Sequence, residues 1–245
     1  MTRFKLVLEY DGRGFVGWQR QVNGLSLQEV LEEAVFRFCG ERVTTHVAGR
    51  TDAGVHALGQ VAHLDLAKAT EPEVVRDALN FHLKPHPVAV LRVEQAGPEF
   101  HARFSARERA YLYRIVNRRA PLTLDRGRAW LIQTPLDLAA MQAGAVNLVG
   151  RHDFSSFRAA ECQAKSPVKT LDRLELSREG DAIVVHARAR SFLHHQVRNI
   201  VGSLKLVGEG TWVPDDLRRV LQARDRRLAG PTAPPDGLYL LEVAY

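Results

Sequence analysis

At 245 residues, with 45% hydrophobic and 25% charged residues, the chain has the composition of a soluble globular protein with room for one large domain or two halves. No apolar run reaches the roughly 18 residues of a membrane span, and two isolated cysteines, Cys39 and Cys162, argue against a disulfide scaffold or a clustered zinc site. The net charge of +6 is uneven: residues 1–100 hold 11 Lys/Arg against 13 Asp/Glu, whereas residues 101–245 hold 23 against 15, which suits a polyanionic partner.

The first predicted element is a strand, Phe4–Tyr10, with period-two alternation and no leader before it, so a cytoplasmic setting is expected. Asp11-Gly12-Arg13-Gly14 breaks it. Ser26-Leu27-Gln28-Glu29 has the form of a capping box and opens a helix whose apolar stripe runs from Leu27 to Phe38 and stops at Gly40. Strands are expected at Val43–Ala48 and Gln60–Leu66, a helix from Glu71 to Leu83 and a strand at Val88–Val93. Further on come a strand, Arg109–Val116, a helix, Leu136–Leu148, and a hairpin, Leu171–Ser177 with Ile183–Ala189. Helices at Gln196–Val207 and Pro214–Ala223 and a closing strand, Leu238–Val243, complete the chain. Hairpins alternating with helices imply an α+β fold: two similar α/β halves, 1–106 and 107–245, with mostly antiparallel sheets and helices on one face.

Five segments carry residues suited to chemistry. In Gly49-Arg50-Thr51-Asp52-Ala53-Gly54-Val55-His56-Ala57 a carboxylate lies two positions from an arginine and two from a glycine. An ordinary turn has the same residues; a functional loop would hold Asp52 rigidly, with Arg50 available to a phosphate. Tyr10-Asp11-Gly12 with Phe15-Val16-Gly17-Trp18-Gln19-Arg20-Gln21 offers Gln19 and Gln21 to nucleotides, while Trp18 is as readily a plug for the core. Phe100–Arg107 leads into a strand on which Tyr111 and Tyr113 share a face; both are core residues, or one is a platform for an extruded base flanked by phosphate-binding arginines such as Arg107. His152-Asp153-Phe154-Ser155-Ser156 superficially suggests a serine hydrolase, but residues adjacent on one short loop cannot converge as a triad. In Phe192–Gly202, His194 and His195 are expected to point apart and so make a poor metal pair. Arg198 in the same apolar segment needs a carboxylate partner, for which Asp52 is a candidate.

Taken together and in this order, these segments, with Gly208–Asp216 and Ala229–Leu240, resemble the tRNA pseudouridine synthase A family. One departure is Gln196, where that family more often has Met. The resemblance implies isomerisation of uridines 38, 39 and 40 of the tRNA anticodon stem-loop, with a catalytic cleft between the halves. It implies Asp52 as the essential catalytic residue, Tyr111 stacking on the target uracil, Arg198 pairing with Asp52, and Arg50 at the flipped nucleotide or its phosphates. A cytoplasmic homodimer acting on tRNA, with no membrane association, is expected. The reaction has no redox or phosphoryl-transfer step, so no cofactor or metal is expected. A non-catalytic RNA-binding module and an Asp52-based nucleoside hydrolase are the rivals; the hydrolase lacks a motif for a second carboxylate.

Overall fold

Alternation in the first ten residues builds β1 (Thr2–Tyr10), whose Phe4, Leu6, Leu8 and Tyr10 are buried. The computed structural model describes residues 1–245 and divides into two units, Met1–Arg107 with Tyr239–Tyr245, and Glu108–Leu238. No helix is long and apolar enough to cross a membrane.

In the first unit β3 (His56–Leu66) pairs antiparallel with β1, from Thr2 opposite Leu66 to Tyr10 opposite Ala57, and β1 pairs antiparallel with β4 (Val88–Ala96). The other edge of β3 takes a short β2 (His46–Val47) at one end. At its opposite end it takes the final strand, β10 (Leu238–Ala244), in parallel. The sequence placed residues 239–245 with the second half; they lie in the first unit, because backbone pairing to His56 and Ala57 recruits a segment far away in the chain. The strand expected over Val43–Ala48 is paired only at His46–Val47.

Helix α1 (Leu27–Cys39) begins where Ser26 Oγ accepts from Glu29 N at 3.2 Å and ends at left-handed Gly40. It buries Leu27, Val30, Leu31, Ala34 and Val35 and packs with α2 (Pro72–His82). Cys39, at its end, is half-buried, its thiol donating to Val35 O. On the opposite side of β1, Val7 joins a smaller cluster with Ala48, Val61, Ala102, Phe100 and Tyr245.

The second unit is a sheet in the order β5 (Glu108–Asn117), β9 (Ala182–Ala189), β8 (Val168–Glu179), β7 (Gly150–Asp153), antiparallel throughout. The hairpin between β8 and β9 turns at Gly180-Asp181, as the sequence indicated. A short β6 (Trp130–Ile132), too brief to alternate visibly in sequence, adds in parallel to β5. Helices α3 (Leu138–Val146), α4 (Gln196–Gly208) and α5 (Pro214–Ala223) pack with one another and bury Met141, Ile200, Val201, Leu204 and Leu217. Helix α3 starts two residues later than expected, because Asp137 is its N-cap and accepts from Ala140 N at 3.0 Å. The architecture is the mixed, mostly antiparallel α+β class read from the sequence.

Candidate active site

In the first unit, the nonapeptide connects β2 to β3, and the glycine-broken segment after β1 clasps it. Gly17 and Asp52 form an isolated antiparallel bridge, and Trp18 N donates to Thr51 O at 3.0 Å. Gly17 has φ +110, and a Cβ there would lie 2.7 Å from Thr51 O, so no other residue allows the two backbones this close. Val55 N donates to Asp52 O at 3.1 Å, closing the turn that the Asp-Ala-Gly spacing suggested. Behind the loop Tyr10 Oη and Thr51 Oγ1 are hydrogen-bonded at 2.8 Å, and Gln60 Nε2 donates to Gly49 O at 2.8 Å. Burial pushes the Tyr10 hydroxyl up to about 12, so it stays a neutral donor and acceptor.

Trp18, 2% exposed with its ring 6.1 Å from that of Tyr10, is a core plug. His56 is buried: its Nδ1 accepts from Gly12 N at 3.1 Å, and its ring stacks on Tyr239 at 4.7 Å. The Tyr-Asp-Gly and Gly-Trp motifs therefore serve the Asp52 loop. Asp52 itself is half-exposed on this fixed backbone, while Arg50, Gln19 and Arg107 are exposed.

The second unit separates the two tyrosines that the strand pattern could not. Tyr113 is fully buried, with its hydroxyl donating to Pro234 O at 2.8 Å, and burial raises its pKa well above the ordinary value. Tyr111, two residues earlier on β5, is half-buried and meets Phe192 edge-on at 5.1 Å. Sequence reasoning gave Phe192 no role, although it opens the motif that contains Arg198.

Arg198 lies in the first turn of α4, half-buried, and its Nε donates to Ala233 O at 2.7 Å. The expected purely apolar setting is therefore incomplete: a backbone carbonyl already takes one of its donors. His195, N-cap of α4, has φ +61, and this left-handed turn brings the His194 and His195 rings to 4.1 Å. The expectation that they point apart is corrected; it assumed regular helix or strand geometry. Gln196 Oε1 accepts from Leu193 N at 2.8 Å, leaving its Nε2 buried without a partner.

The His-Asp-Ser-Ser segment is structural. Ser156 is fully buried and donates to Val220 O at 2.6 Å, and Phe154 and Phe157 are core residues. Of the arginines between 103 and 128, Arg109 is buried and donates to Arg190 O, Arg114 pairs with Asp125 at 2.8 Å and Arg118 with Asp181 at 3.4 Å. Part of the basic run is thus internal structure, while Arg107 and Arg119 remain exposed.

A family profile described as tRNA pseudouridine synthase matches residues 6–105 and 145–245. A protein named tRNA pseudouridine synthase A from Rhodospirillum centenum is 64% identical over 245 residues, the whole of both chains. Proteins of the same name are 62% identical in Paramagnetospirillum magneticum, over all of this chain and 96% of its own, and 58% identical in Parvibaculum lavamentivorans, over all of both. The profile omits the stretch containing Tyr111, but these relatives align through it.

Proposed function

Because this chain belongs to the tRNA pseudouridine synthase family, isomerases that act on tRNA, we propose that Asp52 is the carboxylate that carries the isomerisation, on uridines of the anticodon stem-loop. Pseudouridine formation breaks the N1–C1′ bond, turns the uracil and rejoins it to C1′ through C5; C5 loses its proton and N1 gains one. Positive charge builds at C1′ as the first bond breaks, and an anionic Asp52 stabilises or captures it. The observation that carries this reading is the clasp around Asp52: bonded backbone on both sides of a half-exposed carboxylate. Such fixing means that the charge need not be reorganised when the transition state forms.

Tyr111 and Arg198 act on the same nucleotide in this proposal. Tyr111 has a ring that is neither buried like Tyr113 nor loose, since Phe192 supports its edge, and it stacks on the everted uracil. Arg198 pairs with Asp52 and keeps it ionised. Arg50 at the flipped nucleotide, with exposed Gln19 and Arg107, provides further RNA contacts. The enzyme acts as a cytoplasmic homodimer, for which sedimentation under assay conditions showing two chains per particle is the check.

The test is tritium release from C5-labelled uridine in tRNA. Asp52→Ala is expected to lower turnover by at least ~10³-fold while tRNA binding, measured by filter retention, stays within about threefold. Appreciable turnover by purified Asp52→Ala refutes the assignment. Free uracil as the product would favour a hydrolase instead.

A further inference from the structure

The segment 226–234 supplies the carbonyl that holds Arg198, and Arg226 within it has had no role so far. Arg226 is a half-buried guanidinium whose hydrogen bonds go to neutral oxygens. Its Nη2 donates to Asn199 Oδ1 and Thr232 Oγ1, both at 3.0 Å, and its Nη1 to Gly230 O at 3.0 Å and Ala229 O at 3.4 Å. Burial lowers its pKa from the usual arginine value, and the adjacent Asp225 is bonded to Arg227. A partly desolvated cation bonded only to amides and a hydroxyl costs stability unless it organises something.

What it organises is the contact between this segment and α4. Thr232 Oγ1 donates to Asn199 Oδ1 at 2.7 Å while accepting from Arg226, and the fully buried Asn199 donates through Nδ2 to Phe157 O at 2.9 Å. Ser203 Oγ accepts from Gly230 N at 2.9 Å. At Gly202 a Cβ would lie only 1.7 Å from Pro231 O, so the loop rests directly on the helix backbone. The next contact along the loop is a reciprocal pair: Ala233 N donates to Arg198 O at 3.1 Å and Arg198 Nε donates to Ala233 O at 2.7 Å. With Nε committed to one carbonyl, the plane of the Arg198 guanidinium, and so the aim of its terminal nitrogens, follows the position of Ala233.

We infer that Arg226, with Asn199 and Thr232, is a positioning residue for the reaction, holding the 229–233 loop on α4 so that Ala233 sets the orientation of Arg198. This rests on the role proposed above for Arg198. A misplacement of about 1 Å at a catalytic group can cost on the order of 10²-fold in rate, so the effect belongs in kcat.

The experiment is a cycle of steady-state kcat and KM measurements on tRNA for wild type, Arg226→Gln, Arg198→Ala and the double variant, with melting temperatures to confirm folding. Arg226→Gln is expected to lower kcat about 10- to 100-fold with KM nearly unchanged, and to add no further loss in the Arg198→Ala background. Thr232→Val is expected to reproduce the loss, and Thr232→Ser to restore the rate. If Arg226→Gln does not fold, the two Thr232 variants in both backgrounds carry the same comparison. An equal loss in both backgrounds, or no loss from Arg226→Gln and Thr232→Val, overturns the inference while leaving Asp52 catalysis intact. Full activity of Arg198→Ala overturns the role of Arg198 and this inference with it.

Discussion

The loop around Asp52 and the N-terminal turn of α4 solve the same problem by different means. In the first unit the carboxylate is held by main-chain pairing, Gly17 against Asp52 and Trp18 N to Thr51 O, with Tyr10 and Gln60 bracing from behind. In the second unit Arg198 is held by a carbonyl on a loop that side chains attach to the helix: Arg226, Thr232, Asn199 and Ser203. Main-chain pairing tolerates most side-chain changes and is vulnerable at glycines. A side-chain clasp is vulnerable to loss of individual polar groups, because each leaves a buried partner unsatisfied.

The comparison breaks most visibly at the glycines. Gly202→Ala is expected to be the most disruptive substitution, since its Cβ would collide with Pro231 O and either the loop or the helix must move. A cost of about 3 kcal/mol or more, measured by urea denaturation, is expected. Gly17→Ala should cost roughly 1–3 kcal/mol for a strained φ, and should also abolish tritium release if Asp52 is displaced. Wild-type behaviour of both would show that the backbones are not in the close contact described. Tyr10→Phe sharpens the contrast: losing one hydroxyl behind the loop should cost about 1–2 kcal/mol, with kcat changed less than by Arg226→Gln.

A pH effect is expected in the first unit. His63 is buried, its Nδ1 accepts from Ala102 N at 3.1 Å, and His46 and His101 flank its ring, with Arg3 and Asp65 nearby. Burial, helped by the neighbouring histidines and Arg3, lowers its pKa from 6.5 to about 4. The unfolded chain therefore binds the proton more readily. The stability contributed by neutral His63 is whole above pH 6.5 and is lost as pH falls from there through about 4. Protonation also removes the acceptor that anchors the Ala102 segment. Urea midpoints at pH 7.5 and 5 should fall more steeply for wild type than for His63→Gln; equal slopes would exonerate His63. The smallest effect is expected from Gln196→Met, which removes an unpartnered buried donor but also the acceptor for Leu193 N. The two terms oppose, and a change within about 1 kcal/mol is expected.

Much of the fold was legible in the chain because its signals are local. The alternation of Phe4–Tyr10, the Ser26 cap, the Gly40 stop and the Gly180-Asp181 turn are each set by neighbours a few residues away. The elements that escaped, β6 and β7, are three and four residues long, too short for a period to show. Asp52, Tyr111 and Arg198 could be nominated as functional candidates by residue type and order. Arg226 could not, because Arg226-Arg227 before a glycine-proline loop reads as a solvated charge pair.

The sequence alone determined the longer strands and helices and, through spaced motifs in a fixed order, which family the chain joins. Only the tertiary structure decided that Tyr113 is core while Tyr111 is not, that Trp18 is a plug, and that His194 and His195 sit side by side. Only it returned the last strand to the first unit. Periodicity specifies which face of an element a side chain occupies, but what covers that face is set by chain segments arriving from far along the sequence. Pro234 over Tyr113 and Ala233 on Arg198 are two such arrivals.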